Sequence, residues 1–339
     1  MKYTLLGSSG LRVSELCLGT MTFGTEWTIG ADYETSKTVF DVFANAGGTF
    51  VDTANRYTKG TSERWLGEFI AEDRDHFVVA TKYTLADREN DVSFAGNHRK
   101  NMMRSVKESL QRLNTEYIDV LWLHAWDFTT PVDEVLRGLD DLISRGLVHY
   151  IGISDTPAWV VSQANTMAEL RGWNKFVGLQ IEYSLIQRTP ERDLLPMAKA
   201  FNMAVTPWGA LGGGALTGKY LRGENGRVPE HSARRDQRAE NIAREVVAVA
   251  EELGCSASHV ALAWTRLRGQ QVIPIIGARR AEQLTESLGV LNVELPAEAV
   301  KRLDAVSTIE LGFPHDFLQS EGALGAMGNS IQMINKTRR

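Results

Sequence analysis

Eight short apolar runs of strand type recur along the chain, each separated from the next by a longer segment of helical period. The runs are Leu16–Gly19, Phe50–Asp52, Phe77–Lys82, Ile118–His124, Val148–Ser154, Val177–Gln180, Ala204–Trp208 and Val272–Ile275. Between them, Met103, Val106, Leu110 and Leu113 fall on one helical face, as do Ile242, Val246, Val249 and Leu253. Strands that alternate with helices pair in parallel through right-handed crossovers. Eight such units are the number that closes an α/β (β/α)8 TIM barrel. The competing doubly wound sheet usually carries Gly-x-Gly-x-x-Gly after its first strand, and no such run occurs in this chain.

The boundaries of these units follow local chemistry. Thr130-Pro131 and Thr189-Pro190 each place a capping Thr before a Pro at the first helical position. Gly47-Gly48 follows the first helical pattern, where a left-handed C-terminal cap is wanted. Ahead of the first unit, Lys2–Leu6 and Leu11–Val13 flank Gly7-Ser8-Ser9-Gly10 and read as a hairpin that plugs one barrel end. After the last unit comes a helix from about Pro296 to Val306 and a Gly-rich tail. The expectation is one barrel domain over residues 1–310 and a tail over 311–339, either an unstructured end or a flap over the barrel mouth.

The 339 residues are 43% hydrophobic and 23% charged, enough apolar material for a large core. A net charge of −5 without a basic block argues against nucleic acid as the main partner. Cys17 and Cys255 are the only cysteines, which excludes a disulfide scaffold. With no signal-peptide pattern at Met1 and no run of 18 apolar residues, a cytoplasmic protein is expected.

A TIM barrel gathers its chemistry at the C-terminal ends of its strands. Here those ends are polar: Asp52 on the second run, Lys82 on the third, His124 on the fourth, Ser154 on the fifth and Gln180 on the sixth. Tyr57 lies five residues beyond Asp52. Burying a carboxylate, an ammonium and an imidazole together is costly unless they are paired. The set suits proton transfer to a carbonyl oxygen. Lys82 is expected to lower the Tyr57 phenol from its ordinary pKa of about 10, Asp52 to hold Lys82, and His124 to orient the substrate oxygen. None of these groups supplies a hydride, so a reduction here requires a redox cofactor.

Asp52-Thr53-Ala54-Asn55-Arg56-Tyr57, followed by Ser62-Glu63 and Leu66-Gly67, resembles the signature of the aldo-keto reductase superfamily. Thr81-Lys82 and Tyr117–His124 resemble its lysine and histidine segments. The resemblance runs from about Lys2 to Val306 and implies a catalytic tetrad of Asp52, Tyr57, Lys82 and His124. It also implies an NADP(H) site. Gly19, Thr20, Met21 and Asp52 belong to that site on the early strands, and Ser154 and Gln180 match residues that hold the nicotinamide carboxamide. The family usually has Asn where this chain has Asp155, and a carboxylate lacks the amide donor. Trp208 matches an aromatic residue set against the nicotinamide ring, while Leu211, Gly213 and Lys219 match positions along the pyrophosphate. Gly277, Arg279, Gln283, Glu286 and Ser287 open the last barrel helix, where Arg279 suits a 2′-phosphate, hence NADPH over NADH.

Within the superfamily, Arg99–Lys107, Trp126-Asp127 and Asp155–Val161 resemble the aryl-alcohol dehydrogenase branch. That branch implies aromatic aldehydes as substrates, with Trp27, Trp126 and Phe128 rimming the mouth. Two other functions are compatible with the fold: a cofactor-sensing subunit of the potassium-channel β type, and a phosphate-ligand barrel without redox chemistry. A small-molecule substrate is expected, with no nucleic acid, membrane or metal, as a monomer or homo-oligomer. Gly213–Tyr220 nearly spells a P-loop, but Tyr220 stands where Ser or Thr must ligate magnesium. No His-Glu-x-x-His occurs.

Overall fold

The computed structural model describes residues 1–269 and 271–328. Strands β1 (Tyr3–Leu5) and β2 (Arg12–Ser14) form an antiparallel hairpin. Eight parallel strands follow: β3 (Cys17–Gly19), β4 (Phe50–Asp52), β5 (Val78–Tyr83), β6 (Ile118–Leu123), β7 (Val148–Ser154), β8 (Gly178–Glu182), β9 (Ala204–Trp208) and β10 (Ile275–Ile276). They lie in one sheet in the order β10-β3-β4-β5-β6-β7-β8-β9, and a bridge between Val205 and Val272 brings its two edges together. This is the (β/α)8 barrel that the eight runs imply.

The intervening helices are α1 (Tyr33–Asn45), α2 (Thr61–Phe69), α3 (Arg99–Leu113), α4 (Val132–Ser144), α5 (Ala158–Arg171), α6 (Leu194–Ala200), α7 (Gln237–Leu253), α8 (Ala257–Arg266) and α9 (Ala281–Leu288). Gly47, at φ +83, ends α1 with its N–H on Ala44 O, and the Gly48 N–H reaches Phe43 O, the expected left-handed cap. Three local expectations fail. The Thr189 hydroxyl caps no helix: Thr189 is itself the first residue of a short 3-10 turn, Thr189–Glu191, and its hydroxyl donates to Gln187 Oε1. The Thr130 hydroxyl does not cap α4. It donates to Asp127, whose carboxylate also takes the Thr129, Thr130 and Asn97 N–H groups and outcompetes the short hydroxyl for the turn. The buried face of α3 is centred on Met102, Val106, Ser109 and Leu113, with Met103 and Leu110 only half-buried at its flank.

Side chains alternate between the two surfaces of a strand. The inward set is therefore Phe50 and Asp52 on β4, Val78, Ala80 and Lys82 on β5, and Val120 and Trp122 on β6, with His124 one step beyond. Low in the barrel these residues are apolar. They form one buried cluster with Leu6, Val13, Cys17, Val177, Ala204 and Ile273, so the hairpin closes the N-terminal end. High in the barrel the same alternation delivers polar groups. Trp122, Gly152 and Gly178 share one rung, and the indole occupies the space the glycines leave. A Cβ on Gly152 would stand 2.1 Å from Trp122 Cζ3.

After the barrel, α10 (Ala297–Ser307) lies on α7, tied by Arg302 to Glu245 and Glu252. Two short helices follow, α11 (His315–Gln319) and α12 (Glu321–Ala326), with Phe313, Phe317 and Leu318 exposed. The end of the tail, residues 329–339, lies outside the described residues.

Gly152→Ala is expected to destabilise the protein by about 1–3 kcal/mol through overpacking. Urea denaturation checks this, and the cost shrinks in a Trp122→Leu background if the indole is what the new methyl meets.

Candidate active site

The polar ends of the inward set meet at the C-terminal mouth. Lys82 Nζ donates to Asp52 Oδ2 at 2.5 Å, to Thr53 O at 2.7 Å and to the Tyr57 hydroxyl at 3.2 Å. All three ammonium hydrogens are thereby used, and the side chain is buried. Asp52 Oδ1 takes the Gln180 amide at 3.0 Å, so β4, β5 and β8 are joined through one carboxylate. The His124 ring stands edge-on to Tyr57 with centroids 6.1 Å apart, and its Nδ1 has no partner among the described residues.

Tyr57 is held by a strained turn. Thr58 (φ 45) and Lys59 (φ 53) both occupy the left-handed region, which a β-branched residue adopts only when its surroundings compel it. The Thr58 hydroxyl supplies the compulsion, donating to Phe23 O at 2.6 Å and accepting from the Ser62 N–H at 3.2 Å. The Ser62 hydroxyl in turn lies within hydrogen-bond distance of the Thr20 and Thr53 hydroxyls and donates to Thr20 O. Beneath this web the buried Glu63 accepts from Thr81 and pairs with Arg112. Ser62 and Glu63 are part of the sequence signature. The role of Thr58 is visible only in the backbone.

Electrostatics revise one expectation. Burial raises the Tyr57 phenol, and Lys82, although it pulls the other way, does not overcome that effect. The net shift is upward, so the phenol is protonated at neutral pH. Lys82 loses some proton affinity to burial, but the charge of Asp52 and the hydrogen bonds to Asp52 and Tyr57 more than restore it and the ammonium is held charged. Burial, with Lys82 and Arg56 nearby, drives His124 well below the ordinary histidine range, leaving a neutral imidazole.

Across the mouth from this group, Ser154 ends β7 and Asp155 follows at φ 39. The Asp155 carboxylate accepts from Trp208 Nε1 at 3.2 Å. Burial raises the Asp155 carboxyl above the usual range, and the Trp208 bond and Lys82 offset this only in part. Gly19 lies against Ile275, Thr20 is buried in the hydroxyl web, and Met21 is half-buried beside it.

Beyond β9, Leu211–Gly218 forms a tight loop in which Gly212, Gly213 and Gly214 all have positive φ. Val228 packs over Gly213, and Lys219 lies against Gly214. Arg234 pairs with Glu182 and stands 6.0 Å from the Trp208 ring. Arg227 has no acidic partner among the described residues, and packing together with the charges of Arg234 and Arg279 holds its guanidinium below the usual range. Three mutually repelling cations beside a glycine loop fit a polyanion. Arg227 and Arg234 are absent from the sequence-based set, although five arginines between 222 and 238 were a signal. Behind Gly277, at the head of α9, the Arg279 N–H is met by Gln283. Ser287 is buried and donates back to Gln283 O, while Glu286 is exposed.

The three rim aromatics differ. Trp27 is edge-on to Tyr57 at 6.2 Å. Trp126 is half-buried and its N–H reaches Asp155 O. Phe128 is 70% exposed, so the structure does not bring it into the group.

A closed (β/α)8 barrel with a lysine-bonded tyrosine at its mouth is the architecture of a carbonyl oxidoreductase. Residues 15–308 match the model of the aldo/keto reductase family, and the chain belongs to that family. It is 39% identical to a norsolorinic acid reductase of Aspergillus flavus over 93% of this chain and 83% of that protein. It is 36% identical to an aryl-alcohol dehydrogenase of Pestalotiopsis microspora over 98% of this chain and 87% of that one. An aldo-keto reductase, ausK, of Aspergillus calidoustus is 37% identical over 97% and 88%. These relatives set the chain in the aryl-alcohol dehydrogenase-like branch and make it an oxidoreductase.

Lys82→Met is expected to destabilise the fold by about 3–5 kcal/mol by leaving Asp52 buried and unpaired. Adding Asp52→Asn should return much of that loss in thermal denaturation, because the stranded charge is then gone.

Proposed function

We propose that this protein is an NADPH-dependent reductase of aldehydes and ketones, aromatic aldehydes foremost, that also runs the reverse alcohol oxidation. The observation that carries the reading is the Tyr57 hydroxyl, protonated and hydrogen-bonded to a lysine that Asp52 and Thr53 lock in place. The reduced nicotinamide supplies the hydride that the carbonyl carbon accepts. Tyr57 gives its proton to the carbonyl oxygen as negative charge develops there. Lys82 stabilises the phenolate left behind, and Asp52 prevents the lysine from following the departing proton. His124, neutral and edge-on to Tyr57, orients the carbonyl oxygen.

The donor set fits the cofactor. Ser154, Asp155 and Gln180 offer a hydroxyl and acceptors to a carboxamide, and Trp208 offers an aromatic face. Leu211, Gly213, Lys219, Arg227 and Arg234 surround a place for the pyrophosphate. Arg279 at the head of α9 supports a 2′-phosphate, hence NADPH. Trp27 against Tyr57 supports a flat substrate, as do relatives named for norsolorinic acid and aryl alcohols.

The absorbance of NADPH mixed with the protein and an aromatic aldehyde, beside an NADH control, tests the reading. Tyr57→Phe should lower turnover by about 10²–10⁴-fold while still quenching tryptophan fluorescence with NADPH. Turnover near wild type in this variant would remove Tyr57 from its role. The pH profile follows from the signs above. With Tyr57 raised and His124 lowered, the reduction rate should be flat from about pH 7 to 9 and fall only above about pH 10, where the phenol loses its proton.

A further inference from the structure

Two of the carboxylates at the mouth are neutralised by direct ion pairs, and a third is not. Asp52 and Lys82 form a direct ion pair, and Glu182 is paired with Arg234. Asp155 forms no ion pair among the described residues. Among the described residues, the one side chain that donates to its carboxylate is the neutral Trp208 indole. Arg56, which is exposed, has no acidic partner among the described residues, but its charge acts at His124. The backbone of Asp155 is held by its N–H, which donates to Gln180 O at 3.3 Å, and by its carbonyl, which accepts from the Trp126 N–H at 3.4 Å, while the indole of Trp208 holds the carboxylate. Asp155 follows Ser154 at the mouth end of β7, beside the Gln180 end of β8, and its carboxylate meets the Trp208 indole, so its charge lies on the wall read as the nicotinamide site and acts on Tyr57 as well.

A nicotinamide ring is neutral when reduced and carries one positive charge once its hydride has left. The two forms therefore differ by a unit charge within the reach of Asp155. The neutral asparagine usual in the family at this position has no such preference. We propose that Asp155 sets the relative affinity of the site for the two redox forms of the cofactor, its carboxylate favouring the cationic oxidised ring over the neutral reduced one. This rests on the nicotinamide reading of the site. It implies that the bound reduced cofactor is a stronger hydride donor than it is in solution. On the enzyme the equilibrium leans toward alcohol, at the cost of tighter retention of NADP⁺.

The test is the ratio of two dissociation constants, measured by calorimetry with NADP⁺ and with NADPH at about pH 8, where an aspartate is ionised. Asp155→Asn suits the left-handed backbone at φ 39 and should fold. It is expected to raise Kd for NADP⁺ relative to Kd for NADPH by about tenfold, equivalent to ~1.4 kcal/mol. An Asp155→Asn protein that loses both affinities by the same factor would overturn the proposal. A wild-type protein that binds neither nucleotide removes the cofactor reading and this inference with it. Normal binding of both with an unmoved ratio removes this inference alone.

Discussion

The ammonium of Lys82 is the point on which the upper barrel is built. It has no access to water, so each of its three hydrogens must find a protein acceptor. Asp52, Thr53 O and Tyr57 are those acceptors, and they come from β4 and the loop that follows it. Asp52 then needs a second donor, and Gln180 on β8 provides it. One buried cation thus ties β4, β5 and β8 together, and it presents a phenol at the mouth as part of its own satisfaction. Stability and chemistry draw on the same contacts, which is why the strained turn at Thr58 and Lys59 can be maintained.

Much of this was legible in the sequence because a strand has a period of two. Phe50 and Asp52, or Val78, Ala80 and Lys82, read as apolar below and polar above as soon as the strands are recognised. The hairpin plug and the left-handed glycine at 47 were equally plain, since each depends on a few adjacent residues. What escaped depends on distant ones. The upward shift of Tyr57 required knowing how completely the phenol is enclosed, and the charge of Lys82 alone suggested the opposite sign. Thr130 has the identity of a helix cap but loses its role to Asp127, which satisfies three backbone donors at once. Arg227 and Arg234 gain their place only when the excursion after β9 folds back over Gly213, so the run of arginines marks the charge but not where it lands.

Asp155 illustrates how a single atom type can matter where a motif is otherwise kept. Nitrogen to oxygen is nearly isosteric, and the backbone at this corner is the same left-handed turn that an asparagine would tolerate. The difference is charge, delivered beside Trp208 and within reach of Tyr57. A family signature therefore transfers the geometry of a site more securely than its energetics.

The hairpin beneath the barrel has a consequence for proton traffic. Leu6 and Val13 close the floor under Phe50, Val78 and Trp122, so among the described residues the lower barrel is filled with buried apolar side chains. On the proposed reading, the proton that Tyr57 gives up would be replaced through the same opening by which the alcohol departs. Recharging of the acid and clearance of the product would then share one doorway, and a product that lingers there would delay both.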